Sequence, residues 1–267
     1  MKIPVQFSSE IINEIWDAVK YRAVLNSKLI SIGYRQEAAS GNEAVFSWDA
    51  PLSASPKDRA FLKYLVEQPS ATNIKVQLWQ GDGVSRTTLT PNTIGISRDA
   101  NFNNAVNINY SSNENFPIRW ATFQSQEMAM VVAVRPDNNA GLCSAGFLCP
   151  AVKPTWWSNN SLYAFAPNGN DISRFRVLPG NPLSPNQQDI VFNPELFPTN
   201  FNPGGTRDLL KRLALCSSTQ SWVVGFTSSD FGIIASNGLN SLSQLTIDGQ
   251  TWVNVRTNAW SFAVRIA

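Results

Sequence analysis

The residues best suited to binding a ligand are Trp156 and Trp157, which three polar residues follow in the stretch 158–160. Adjacent residues of an extended chain point to opposite sides, so at least one of the two indoles can be exposed. An exposed indole can stack on a sugar ring while neighbouring amides bind the sugar hydroxyls. The pair therefore predicts a carbohydrate-stacking site, and the alternative is that both indoles pack in the core or at a subunit contact.

The sequence contains no histidine. Its absence excludes Ser-His-Asp and Cys-His catalytic groups, the commonest general base, and zinc sites that use imidazole. The three cysteines, Cys143, Cys149 and Cys216, are too few for a four-thiolate site. We expect them to be reduced, although Cys143 and Cys149 are close enough in sequence to form a disulfide. No cofactor is predicted.

A pair of carboxylates can hydrolyse a glycoside without histidine. The candidates in strand or loop contexts are Asp99, Glu114, Glu127 and Asp230. Their spacing selects no pair, and acidic residues are mostly solvated groups. The sequence therefore predicts a protein that is not an enzyme, with a histidine-free glycoside hydrolase as an alternative.

Two clusters of Asp and Asn, at residues 137–139 and 168–171, could offer oxygen ligands to calcium. Neither has the spacing of an EF-hand loop. Asx-rich turns explain both clusters without a metal ion, so no metal site is predicted.

The charge composition bears on the kind of partner. The chain carries 21 basic and 19 acidic residues and no run of like charge, which argues against nucleic acid as a partner. Charged residues make up only 15% of the chain, so the surface is rich in amides and hydroxyls. Such a surface docks against another protein with a smaller desolvation cost than a charged one. The longest apolar run, residues 128–134, is too short to cross a membrane, and the N-terminus lacks an apolar segment of signal-peptide length.

Three segments are predicted to be helical. The apolar residues of the segment 8–27, including Trp16, recur every three or four positions after Ser8 as N-cap, which is typical of an amphipathic helix. A second helix is predicted between Ser55 as N-cap and Pro69 as stop, and a third over 206–216.

Most of the remaining chain is predicted to form strands, because short runs rich in β-branched and aromatic residues alternate with turn residues. The predicted strands are 29–34, 44–48, 74–79, 105–110, 118–123, 127–135, 162–165, 173–178 and 221–227. The run 128–134 is apolar at every position and is expected to be a central strand covered on both faces.

The last residues predict an antiparallel meander. Residues 245–247 lead into Asp248-Gly249, a dipeptide that favours a two-residue type I′ turn, and residues 252–256 follow. A turn at 257–258 then leads to an alternating strand over 260–266. The predicted fold is mainly β, an antiparallel β-sandwich or barrel-like body with an N-terminal amphipathic helix and one or two further short helices.

The segment 179–205 differs from the rest, because it contains six prolines and three phenylalanines, Phe192, Phe197 and Phe201. Proline fixes φ and removes an amide donor, so this segment is expected to be extended and not paired in a sheet. We interpret it as an arm that lays apolar side chains on a neighbouring subunit or on its own core. The predicted organisation is an N-terminal helix (1–28), a β-rich body (29–178), the arm (179–205), and a helix with the C-terminal meander (206–267).

Together, the helix SSEIINEIWDAV, the β-rich body, the arm LPGNPLSPNQQ and the meander TIDGQTWVNVRTNAWSFAVRIA resemble virion structural proteins of tailed bacteriophages, especially of the tail and baseplate. The resemblance extends over the whole chain and carries no specific motif, so it transfers no functional residue. It implies a non-enzymatic subunit within the virion that contacts other copies of itself and other virion proteins. Trp16, Phe192, Phe197 and Phe201 are the candidate assembly contacts. The alternative of a carbohydrate-binding or receptor-binding module implies a glycan of the host surface as partner.

Overall fold

The computed structural model shows a mainly β protein with antiparallel sheets and one α-helix. The residues described are 4–49, 59–81, 106–109, 114–136, 141–148, 163–165, 174–177, 189–191, 209–211, 214–216, 223–235, 239–255 and 260–266. The elements are β1 Gln6–Glu14, α1 Ala18–Ser31, β2 Arg35–Ser40, β3 Glu43–Asp49, β4 Arg59–Ser70, β5 Asn73–Gly81, β6 Val106–Asn109, β7 Phe116–Gln124, β8 Met128–Val134, β9 Gly141–Leu148, β10 Tyr163–Phe165, β11 Arg174–Val177, β12 Asp189–Val191, β13 Leu209–Lys211, β14 Ala214–Cys216, β15 Val223–Phe226, β16 Phe231–Ala235, β17 Gln244–Ile247, β18 Gln250–Asn254 and β19 Trp260–Arg265.

The strands form three large sheets and one hairpin. The central sheet has the order β1-β7-β8-β9-β10-β11-β12, the N-terminal sheet β2-β3-β4-β5-β6, and the C-terminal sheet β13-β16-β19-β18-β17. Strands β14 and β15 pair with each other. Every pairing is antiparallel, as expected for a chain without repeated strand-helix alternation.

Strand β8 lies between two hydrophobic cores. Its seven residues are all buried, because successive side chains point to opposite faces and both faces are covered. Ala129, Val131 and Ala133 contribute to a first core, which the central sheet shares with α1 and the N-terminal sheet. Met130 and Val132 contribute to a second core, shared with the C-terminal sheet. The prediction of a central strand covered on both faces is confirmed.

A close approach of the backbone joins β8 to β9 at Gly146, which pairs with Met130. A Cβ atom added at Gly146 would overlap the carbonyl oxygen of Ala129 and lie 2.7 Å from the Cα of Met130. Glycine is therefore required at this position for the two strands to pack as they do.

The C-terminal meander is present as the alternation predicts. Strands β17, β18 and β19 are neighbours in the C-terminal sheet, and Ile247 pairs with Gln250 across a two-residue turn. Asp248 and Gly249 in that turn have φ angles of 51° and 70°, the positive values that a type I′ turn requires. The other predicted turn, at 257–258, lies outside the described residues.

The three predicted helices are wrong in position or in kind. Residues 6–14 form β1, because their nine positions pair without interruption with β7, and the helix begins only at Ala18. Strand β4 replaces the second helix, and its Leu62, Tyr64 and Val66 alternate into the first core with a period of two. Strands β13 and β14 lie within the third. Residues 55–58, the start of the second helix, lie outside the described residues.

Two further predictions about local structure need correction. The segment 29–34 is not a strand, because α1 continues to Ser31 and ends just before Gly33. The segment 179–205 is not wholly unpaired, since β12 within it pairs with β11. The remaining predicted strands coincide with β3, β5 to β8, β10, β11 and β15, apart from differences at their ends. In the described part of the chain, no helix has the length and apolar character needed to cross a bilayer.

Candidate assembly surface

Helix α1 is fixed at both ends by its own sequence. Asp17 caps the N-terminus, and its carboxylate accepts a hydrogen bond of 2.7 Å from the backbone N–H of Lys20. At the C-terminus the backbone N–H groups of Gly33 and Tyr34 donate to carbonyl groups of the last turn. Gly33 has a φ of 90°, which ends the helix at little steric cost. The N-cap is therefore Asp17 and not Ser8, nine residues later than the apolar spacing suggests.

One side of α1 lies against β1. The ammonium group of Lys20 is 3.2 Å from the carboxylate of Glu14, and Lys28 forms an ion pair with Glu10. Lys20, the earlier lysine of α1, pairs with Glu14, the later glutamate of β1, and Lys28 pairs with the earlier one. The helix therefore runs antiparallel to β1. Ile12, between the two glutamates on the same strand face, packs on the first core. Both glutamates are half exposed, so the two ion pairs link α1 to β1 at the surface and are expected to add little stability.

The opposite side of α1 lies against the N-terminal sheet. The phenol of Tyr64 donates a hydrogen bond of 2.6 Å to the side-chain oxygen of Asn26, and Arg22 contacts Asn42. Burial raises the pKa of Tyr64, and the hydrogen bond with Asn26 partly opposes that shift. Helix α1 therefore contacts both the central sheet and the N-terminal sheet.

The exposed positions of α1 include two large aliphatic residues. The buried face consists of Ala18, Tyr21, Leu25 and Leu29. Val19 and Ile30, on the outward face, are 63% and 54% exposed, although both are large aliphatic residues.

Two further isoleucines beside α1 are exposed. Ile11 on β1 is 52% exposed, and Ile15 between β1 and α1 is 46% exposed. These two residues, with Val19 and Ile30, are the large hydrophobic residues exposed in the described part of the chain. We call these four residues the N-terminal surface. The helical spacing predicted that Ile11 and Ile15 are both buried. If the segment is instead treated as a strand, Ile11 and Ile12 point to opposite faces, so only one of them can face the first core.

Trp16 lies inside this chain and not on its surface. It is 1% exposed and belongs to the first core. Its indole N–H donates a hydrogen bond of 2.8 Å to the backbone carbonyl of Phe116. Trp16 was predicted to contact another subunit. In the structure it instead anchors the connection between β1 and α1 to the central sheet.

The other predicted site residues lie outside the described residues. They are Trp156, Trp157, Phe192, Phe197 and Phe201. The stacking site and the arm contacts therefore stay predictions. The candidate calcium loops at 137–139 and 168–171 lie outside as well, and the described residues hold no group of three or more His, Cys, Asp or Glu arranged around a common point.

The predicted carboxylates do not form a hydrolytic pair where the structure describes them. Glu114 precedes β7 and Glu127 follows it, so the length of that strand, about 25 Å, separates them. Hydrolytic pairs are separated by roughly 5 to 10 Å. Asp230 is buried and forms an ion pair with Arg265, and Asp99 lies outside the described residues.

A second buried ion pair lies on the N-terminal sheet. Lys63 of β4 is fully buried, and its ammonium group is 2.9 Å from the partly exposed carboxylate of Glu43. Nearby, the guanidinium of Arg35 donates two hydrogen bonds to Glu37, which raise the pKa of Arg35. The first ion pair joins β3 to β4, and the second lies within β2.

No protein-family model matches the sequence, and no curated protein matches it significantly.

Proposed function

We propose that this protein is a non-enzymatic structural subunit of a tailed-bacteriophage particle, of the tail, baseplate or fibre region. It acts through contacts with other copies of itself and with other virion proteins. Its body is inferred to be a layered β-sandwich built on the central sheet. The N-terminal surface is the part of the described chain that is inferred to take part in these contacts.

The observation that carries the proposal is the clustering of exposed aliphatic residues in one stretch of chain. Ile11, Ile15, Val19 and Ile30 are each about half exposed or more, and all lie on β1, on α1 or between them. Large exposed hydrophobic residues can mark a protein contact, and those of the described chain all fall within residues 11–30. Ile11 lies on the face of β1 opposite Ile12, so this surface includes both α1 and the edge of β1. The packing of α1 against two sheets holds the helical part of this region in place.

The composition supports a protein partner. With 15% charged residues and a formal net charge of +2, the surface repels a second copy only weakly. A charge-poor surface also costs less to desolvate in an interface that stays buried. A nucleic acid partner would instead call for clustered Lys and Arg.

The test is the oligomeric state of the full-length protein, measured by size exclusion with light scattering and by negative-stain electron microscopy. We expect a defined, symmetric oligomer, since most homo-oligomers close around a symmetry axis. The same sample is tested on a glycan array. A monomer at every concentration that binds glycans would refute the proposal and favour a carbohydrate-binding module.

A further inference from the structure

Strand β1 is an open edge of the central sheet. In the described chain it pairs on one side only, with β7. Its nine residues keep one register with no bulge, and they include neither proline nor lysine. Proteins usually protect such edges with short strands, bulges, prolines or lysines, because an exposed edge recruits other strands. Strand β1 lacks these four protections, although Glu10 and Glu14 place two charges on its face toward α1.

The other edges of the three large sheets differ from β1. The described parts of β12 and β13 comprise three residues each and that of β6 four, and β17 is a strand of four residues. Strand β2 has six residues and is interrupted by a register shift between Gln36 and Ala38. Of the described edges, β1 alone is long and regular, and it carries Ile11 of the N-terminal surface.

We propose that β1 pairs antiparallel with β1 of a second copy, around a two-fold axis that passes at Ile11. The pairing would join the two central sheets into one continuous sheet. This inference rests on the proposed function, because it names the partner of the N-terminal surface. A two-fold axis perpendicular to the sheet keeps each side chain on the same face in both copies. Residues directly opposite each other must share a face, so their numbers must both be odd or both be even. The axis therefore passes at a residue and not between two residues.

The charges of β1 select the register. With the axis at Ile11, Glu10 lies opposite Ile12 of the second copy, and Glu14 lies opposite Ser8. An axis at residue 10 would place Glu10 opposite itself, and an axis at residue 12 would place Glu10 opposite Glu14. Like charges directly opposite each other destabilise a strand pair. Within each copy, Glu10 and Glu14 are already paired with lysines of α1.

The apolar residues favour the same register. The axis at Ile11 places the two exposed Ile11 side chains against each other, and Ile15 lies opposite Phe7 of the second copy. Cross-strand pairs of aromatic and β-branched residues are among those that stabilise sheets. An axis at residue 9 would also separate the glutamates, but it would leave Ile15 without an opposite residue in the strand. An axis at residue 13 would place Ile11 opposite Ile15, but only residues 12–14 of β1 would then be paired. The register at Ile11 pairs residues 8–14 and covers Ile15 when the pairing continues one residue past Glu14.

The first test is the substitution Ile11→Lys, which places two ammonium groups face to face at the axis. Ile11 is half exposed in the single chain, so the fold should persist, as circular dichroism and thermal unfolding would show. Sedimentation equilibrium should show the wild type associating through a dimer and Ile11→Lys losing that step. The matched control is Ile30→Lys on α1, which is similarly exposed but lies outside the β1 pair, so the dimer step should persist in this variant even where other contacts of the N-terminal surface are lost.

The second test fixes the register. Cβ atoms directly opposite in an antiparallel pair are about 4.5 to 5.5 Å apart, so Ile11→Cys should form a disulfide between two copies under mild oxidation. Ser9→Cys is the control, because its two copies would be offset by four residues, about 13 Å along the strands. Peptide mass mapping distinguishes the new bond from any bond of the native cysteines.

The outcomes separate this inference from the proposed function. A wild-type oligomer that Ile11→Lys leaves intact, or an oligomer in which Ile11→Cys does not cross-link, refutes the β1 interface and leaves the structural role standing. A dimer that Ile11→Lys abolishes, formed by a protein that binds glycans and joins no larger assembly, refutes the structural role and keeps the interface. A strictly monomeric wild type refutes both.

Discussion

Replacing Trp16 with alanine should destabilise the protein strongly. The indole is almost completely buried and lies among Tyr21, Phe116 and Trp120, with ring centroids 6.2, 6.3 and 6.4 Å away. Truncation leaves a cavity among these rings and removes the donor to the Phe116 carbonyl. Substitutions of buried tryptophan by alanine cost about 3 to 5 kcal/mol, and the lost hydrogen bond places Trp16→Ala at the upper end, near 4 to 5 kcal/mol.

Urea unfolding followed by circular dichroism measures this change in the free energy of unfolding. Trp16→Phe keeps an aromatic ring and loses the indole N–H, so it should cost clearly less than Trp16→Ala. Ile30→Ala on the outward face of α1 is the surface control and should change the free energy by no more than about 0.5 kcal/mol. If Trp16→Ala changed stability as little as Ile30→Ala, the assignment of Trp16 to the core would be wrong.

Three further predictions concern packing and charge. Glu43→Gln removes the carboxylate that lies 2.9 Å from the buried Lys63 ammonium, so it should cost about 3 kcal/mol and more than Lys63→Met in thermal unfolding. Gly146→Ala should lower the free energy of unfolding by about 1 to 3 kcal/mol, because its Cβ meets the β8 backbone; an unchanged urea midpoint would contradict the strand spacing. Burial raises the pKa of Tyr34 well above its ordinary value of about 10, so the unfolded chain ionises first. Stability should therefore be complete below about pH 10 and fall as pH rises toward the pKa of the folded state, and Tyr34→Phe should flatten that fall in urea titrations at increasing pH.

The sequence predicts the parts of the fold that local chemistry decides. The two-residue turn at Asp248-Gly249 needs positive φ angles that this dipeptide readily adopts, so the hairpin of β17 and β18 can be read directly. The run 128–134 is apolar at every position, which a strand covered on both faces requires. Both predictions depend on adjacent residues alone.

The helices could not be predicted in the same way, because distant pairing decides those segments. The isoleucines of β1 fit a helical period and a strand equally well, and β7, far along the chain, supplies the hydrogen bonds that select the strand. In β4, Pro69 looks like a helix stop, but it lies where the register with β5 shifts and where a missing amide is tolerated. Tertiary context overrides local pattern in both segments.

The candidate surface was predictable only in part. A preference for protein partners follows from the low charge of the chain. The exposure of Val19 and Ile30 depends on the helix starting after Asp17. Each residue of a helix is turned by about 100° relative to the one before it, so a different start would present other residues to the core. Trp16 lies one residue before that cap, and its burial likewise follows from where the strand ends and the helix begins.

The position of β8 between two cores has a consequence during synthesis. The side facing α1 can be covered as soon as the first half of the chain has left the ribosome. The other side, lined by Met130 and Val132, must wait for β16 and β19 near the C-terminus. At translation rates of about 5 to 20 residues per second, this apolar side of β8 remains exposed to solvent for several seconds in every new molecule. Chaperone demand during expression should therefore peak before the last hundred residues emerge, and chains that stop there should aggregate.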